Sequence, residues 1–145
     1  MKLNKQQRLQ AASDSNTPLK ELEKLSRDSD DDIRQKVAGN PGSSVAILMR
    51  LSEDEKYLVR RLVAKNPNTP IKILTNLAKD GWEEVRVEVA ENRRTPVDVL
   101  VSLANDPYSS VRRALRNNPN TPIEIRLNAF AGLLPGDSTG DGDDD

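Results

Sequence analysis

A 26-residue period dominates the sequence. Threonine-proline pairs fall at 17/18, 69/70, 95/96 and 121/122, and Ser43-Ser44 fills the remaining slot. The same step carries a β-branched residue followed by arginine, at Ile33-Arg34, Val59-Arg60, Val85-Arg86 and Val111-Arg112. It also carries Asp28, Asp54, Asp80 and Asp106, then Asn40, Asn66, Asn92 and Asn118, and leucine pairs from Leu22/Leu25 to Leu100/Leu103. Four consecutive copies run without insertion or deletion. Self-similarity of this length marks a solenoid, in which each unit contacts mainly its neighbours.

Residues 92–117, "NRRTPVDVLVSLANDPYSSVRRALRN", show how one unit is built. Thr95 suits an N-cap and Pro96 the first helical position, which predicts a helix of about nine or ten residues starting there. Val97, Val99, Leu100, Leu103 and Ala104 fall mostly on one face, which is predicted to be buried. Asn105-Asp106-Pro107 ends that helix, and Asp106 is expected to cap a second one near Ser109 to Arg116 that buries Val111 and Leu115. The "NPNT" that follows is a turn sequence.

Such a unit buries too few aliphatic side chains to offset the entropy of ordering its own backbone. Burial between units must supply the rest. The expected fold class is all-α, a right-handed α-solenoid of 26-residue two-helix repeats, with α or 3₁₀ geometry open for the second helix layer. The expected organisation is a single repeat domain over residues 1–136. Residues 1–13 match a second helix only and form an N-terminal half-repeat cap. Full repeats follow at 14–39, 40–65, 66–91 and 92–117, and residues 118–136 hold a first helix only as the C-terminal cap. Phe130 stands where other copies have alanine or serine and is expected to plug that cap. On this reading the chain is a complete solenoid.

Composition narrows the chemistry. Cysteine and histidine are both absent, so a thiolate or imidazole metal site and the Cys/His or Ser/His/Asp nucleophile arrangements are excluded. The first residues are too polar for a signal peptide, no apolar run reaches membrane-spanning length, and the absence of cysteine fits a reducing compartment. A cytoplasmic monomer with no membrane association is the expectation. The net charge of −1 conceals the last nine residues, "DSTGDGDDD", whose five aspartates leave the body at +4 when removed. Residues 137–145 have nothing apolar to bury, so a disordered, solubilising acidic tail is expected. They lack the ligand spacing and closing glutamate of a calcium loop.

The pattern "NPNTP...L..LA.D....VR..VA", fullest at residues 66–90, resembles the leucine-rich repeat variant (LRV) family over the chain from Asp14 to about Leu134. The resemblance implies pairs of short helices, one often in the 3₁₀ form, stacked in a right-handed superhelix without β-sheet. The aspartate followed by valine-arginine is also similar to the HEAT repeat, another helical-pair solenoid. One founding type in the LRV family carries a cysteine-ligated iron-sulfur cluster in front of its repeats; without cysteines that feature does not transfer. What the family implies is a fold and a binding habit.

The periodic residues are read as structure before function. Arg34, Arg60, Arg86 and Arg112 adjoin buried positions and are expected to pair at the inter-repeat seam with Asp28, Asp54, Asp80 and Asp106, a ladder preferred over a row of phosphate clamps. The periodic asparagines are expected to bond to nearby backbone. Partner contacts are sought where the period makes no demand. Arg61, Arg93, Arg94, Arg113 and Arg116 add charge, and residues 92–117 sum to +3, whereas residues 66–91 sum to −2 and break any basic stripe. Tyr57, Trp82 and Tyr108 mark entries to second helices, either as a partner-facing row or as covers for their own turns.

Carboxylates cluster at helix starts ("DSDDD", "EDE", "WEE"), where the helix dipole accounts for them. The chain is therefore read as a non-catalytic scaffold with no cofactor, binding another protein, with nucleic acid as the second reading. A peptide of residues 92–117 alone is expected to give the far-ultraviolet circular dichroism of an unfolded chain; a cooperative melt would contradict the stacking argument.

Overall fold

The computed structural model describes residues 2–130, with Phe130 described in its backbone alone. The expected plug at Phe130, the cap residues 131–136 and the acidic tail at 137–145 lie outside the described residues. Among the described residues there are ten α-helices and no strand. The longer helices are α1 (Lys5–Ser13), α3 (Asp31–Gly39), α5 (Tyr57–Lys65), α7 (Glu83–Glu91) and α9 (Ser109–Ala114), which continues as a 3₁₀ turn over Leu115–Asn117. The shorter ones are α2 (Leu19–Leu25), α4 (Val45–Leu51), α6 (Ile71–Leu77) and α8 (Val97–Leu103), and α10 (Ile123–Phe130) closes the series. The long helices pack on one another in chain order, while α2, α4 and α6 each bridge the long helices on either side. This is the two-layer arrangement of an α-solenoid.

The second layer is α-helical over nine residues in α3, α5 and α7, and among the described residues 3₁₀ geometry enters only at Leu115–Asn117. One core runs between the layers. Val59, Val63 and Ala64 of α5 and Ile73, Leu74 and Leu77 of α6 are typical of it, and each has its counterpart one unit along the chain. Val111 and Leu115 are fully buried, as their spacing predicts. Val97 is not: it lies 51% exposed at the first turn of α8.

Helix starts differ from the expectation in an instructive way. The shorter helices begin one residue later than predicted, with Pro18, Pro70 and Pro96 as the N-cap and no side-chain cap on their amides. Threonine does not cap because its hydroxyl is taken. Thr17, Thr69 and Thr95 donate from Oγ1 to the carbonyls of Ala11, Val63 and Val89, each at 2.6 Å, and Ser43 does the same to Val37. Where the proline is replaced, Ser44 Oγ accepts from the Ile47 N–H as an ordinary N-cap. The aspartates also act at one remove. Asp106 Oδ1 accepts from the N–H of Tyr108, itself the N-cap residue of α9, so the carboxylate fixes the entry turn instead of capping the helix.

The last carbonyls of a helix have no partner within it. Here the next unit satisfies them. Asn66 Nδ2 donates to the Ala38 carbonyl at 2.8 Å and to the Asn40 carbonyl at 3.1 Å, and Asn92 does the same to Ala64 and Asn66 at 2.7 and 3.1 Å. Asn40 and Asn118 repeat the pattern at the two ends. Each Oδ1 meanwhile accepts a local N–H two residues on, from Gly42, Asn68, Arg94 and Asn120. The expected local bond is therefore half of the story; the amide nitrogen crosses the seam.

At the C-terminal end the pattern loosens. The Leu115 carbonyl accepts the Asn118 N–H, as Val37, Val63 and Val89 accept those of Asn40, Asn66 and Asn92. Among the described residues the buried Thr121 hydroxyl has no partner.

Three substitutions measure these contributions by urea unfolding. Asn92→Ala strands two buried carbonyls and is expected to cost about 2–4 kcal/mol, against less than about 1 kcal/mol for Asn68→Ala on the exposed side of the turn. Leu74→Ala, in the middle of the core, is expected to cost about 2–5 kcal/mol.

Candidate partner-binding surface

The arginine ladder is committed to the fold. Arg34 meets Asp54 through Nε at 2.8 Å and Nη2 at 3.1 Å, Arg60 meets Asp80 at 2.7 and 3.1 Å, and Arg86 meets Asp106 at 2.6 and 3.0 Å. Arg8 continues the row only as an ion pair, its Nε 2.9 Å from Asp28 without the hydrogen-bond alignment of the others. The remaining guanidinium nitrogen, Nη1, donates to the backbone carbonyl of the aspartate six positions earlier, at Asp28, Asp54, Asp80 and, from Arg112, Asp106. The sequence places these arginines at the inter-repeat seam within reach of the periodic aspartates but does not say which aspartate each takes. The carboxylate in fact comes from the aspartate 20 residues ahead, across the seam, and the aspartate six positions back contributes its carbonyl. Planar guanidinium matches both partners at once, which an ammonium would not.

These pairs also set an acid sensitivity. Burial alone would push Asp54 and Asp80 up, but the guanidinium of Arg34 or Arg60, the N–H of Lys56 or Trp82 and the nearby positive charge together outweigh it. Both carboxyls are held below the ordinary carboxylate range.

Of the arginines sought as partner contacts, Arg61 is already engaged, its Nε 2.8 Å from the buried Glu88 of α7. Arg93 and Arg94 are exposed in the turn entering α8. Arg113 and Arg116 are exposed on α9 and its 3₁₀ continuation, where Arg113 bonds back to Ser109 and Arg116 to the Arg113 carbonyl.

The aromatic row is partly assembled. Tyr57 and Trp82 stack with centroids 4.3 Å apart and planes 12° from parallel, so these rings cover each other across a seam. Tyr108 sits one unit further on, 52% exposed, with the Arg86 guanidinium 5.5 Å from its ring centre. Trp82 is 50% exposed, and together with Gly81, Glu83, Glu84 and Tyr108 it lines an open depression.

A second row escaped the sequence reading. Leu19, Val45, Ile71, Val97 and Ile123, the first residues of α2, α4, α6, α8 and α10, are each about half exposed. Met49, Val101 and Leu127, one turn further along their helices, are exposed too. The signal was present as an apolar residue after every Thr-Pro or Ser-Ser pair. Its helical spacing from the leucines made it look like core.

Among the described residues no group of three or more acidic side chains is placed to hold a metal ion, and no helix is long and apolar enough to cross a membrane.

A carboxyl depressed in the folded state contributes stability above its unfolded pKa, near 4, and loses it as pH falls through the lower folded value. Urea midpoints are therefore expected to hold down to about pH 4 and fall below it. Asp80→Asn should flatten part of that fall while lowering stability at neutral pH by on the order of 3 kcal/mol, because Arg60 is left without its counter-charge.

Residues 83–107 match the family model described as leucine rich repeat variant, a stretch that opens with α7, takes in α8 and stops at Pro107 before α9. No curated protein and no solved structure matches the chain. The match and the stacked helix pairs agree: residues 83–107 carry a leucine rich repeat variant motif, set within an all-helical repeat fold.

Proposed function

We propose that the protein is a non-catalytic scaffold that binds another protein along its repeat surface, as a monomer in the cytoplasm. In this reading residues 1–136 form one right-handed solenoid whose units are 14–39, 40–65, 66–91 and 92–117 between two half-repeat caps. The observation that carries it is the row Leu19, Val45, Ile71, Val97 and Ile123, apolar in every unit yet half exposed. Isolated exposed aliphatic residues are ordinary, but a series repeated in every unit along one layer is a recurring apolar feature of the kind that protein partners cover. Trp82, Tyr108, Arg93, Arg94, Arg113 and Arg116 add the residue types that dominate binding hot spots. Phosphate binding is weakly supported by comparison, since Arg34, Arg60 and Arg86 spend their charge on aspartates.

The test is affinity capture from extract of the native cell with the wild-type chain and with the triple variant Val45→Glu, Ile71→Glu, Val97→Glu. These surface changes are expected to alter the free energy of unfolding in urea little, by about 0.5 kcal/mol or less apiece. A protein retained by wild type and reduced at least about tenfold with the variant, a difference near 1.4 kcal/mol, supports the scaffold. Retention of nuclease-sensitive material that is indifferent to the variant and lost at moderate salt overturns it in favour of nucleic-acid binding.

A further inference from the structure

We infer that the depression between Trp82 and Tyr108 is a seat for an arginine side chain presented by a partner peptide. The inference rests on the scaffold reading for the existence of that peptide, but the chemistry is argued from the site itself. One face of the Trp82 indole is covered by Tyr57, stacked at 4.3 Å, which holds the ring in place. The depression opens between this indole and Tyr108, a unit further on, and both rings are about half exposed. Two rings flanking an open slot suit a flat, weakly hydrated cation, and guanidinium stacks on aromatic faces better than ammonium does.

The lining supplies the matching charge. Glu83 and Glu84 belong to the first turn of α7 and line the same depression. Glu83 Oε2 accepts from Ser110 Oγ at 2.7 Å, which anchors it. Glu84 Oε2 is shielded from water and has no hydrogen-bond partner among the described residues. This unpartnered carboxylate oxygen adds negative charge to the wall of the depression beside the two exposed rings. Neither acid is required by the repeat: the positions equivalent to Glu84 hold Asp32, Leu58 and Ser110. The protein already uses this combination internally, for Arg86 lies over the Tyr108 ring while its nitrogens grip Asp106. Gly81, whose missing Cβ would meet nothing within 4 Å, leaves the approach open.

Trp82 is the single tryptophan of the sequence, so its emission reports on this site alone. The probe is an acetylated, amidated Gly-Gly-Arg-Gly-Gly peptide titrated into the full chain, beside the same peptide with citrulline, which keeps the shape and drops the charge. The expected result is a saturable change in emission with the arginine peptide, about fivefold to tenfold weaker binding for the citrulline peptide, and a similar loss in Glu84→Gln and in Tyr108→Leu. Glu124→Gln, an acid on α10 away from the depression, is expected to bind as wild type. Urea midpoints of the variants establish that they fold. Linear quenching without saturation, equal response to citrulline, or indifference to both site variants overturns the seat. Absence of the peptide response while capture by the apolar row persists refutes the seat and spares the scaffold. Loss of capture with the response intact does the opposite.

Discussion

The C-terminal ends of α1, α3, α5 and α7 leave backbone carbonyls unmet, and in each case the next unit along the chain supplies the donors. The Asn66 and Asn92 amides reach back across the seam to Ala38 and Ala64, and the Thr69 and Thr95 hydroxyls hold Val63 and Val89. Because a buried carbonyl without a donor is costly, the end of one unit is stable only when its successor is in place. The arginines act in the opposite direction along the chain, gripping the carboxylate 20 residues ahead and a carbonyl six residues behind. Cohesion between units is thus polar and directional at the seams and apolar between the layers.

This division decides which residues are left for a partner. Side chains that recur with the period are consumed by it: the asparagines, arginines and aspartates, and Thr17, Thr69 and Thr95, close bonds inside the stack, with Thr121 the exception among the described residues. The exceptions are informative. The residue after each Thr-Pro or Ser-Ser pair recurs as faithfully as the core leucines, yet it faces outward at Leu19, Val45, Ile71, Val97 and Ile123. The non-recurring residues fall into two groups. Tyr57 and Arg61 are taken up by contacts with Trp82 and Glu88, whereas Tyr108, Arg93 and Arg94 stay accessible.

Much of the architecture was legible because period and helix geometry act together: Leu22, Leu48, Leu74 and Leu100 could only be core, and they are fully buried. What the sequence concealed was which of two available partners a polar group would take. Threonine before proline is compatible with a cap and with a bond to the preceding helix, and the second wins because a buried carbonyl lies six residues back. Asparagine in a turn looks local until the neighbouring unit is seen at its amide nitrogen. Arg60 sits near two aspartates in sequence space, but only the stacking distance shows that Asp80 gives the carboxylate and Asp54 the carbonyl. Of the candidate surface, the aromatic entries at Trp82 and Tyr108 were visible as departures from the repeat. The aliphatic row was invisible as a surface, because apolar residues at helical spacing read alike whether they face in or out.

The fixed reach of the arginine carries a consequence for how such a chain can change length. Arg34, Arg60 and Arg86 each require a carboxylate 20 residues downstream and an oxygen six residues upstream. Adding or removing one entire unit preserves every one of those offsets, whereas slipping a single residue in between shifts the carboxylate out of register and, inside a helix, turns everything after it by about 100°. Growth of this molecule is therefore quantised: it can gain or lose whole modules cheaply, and almost nothing smaller.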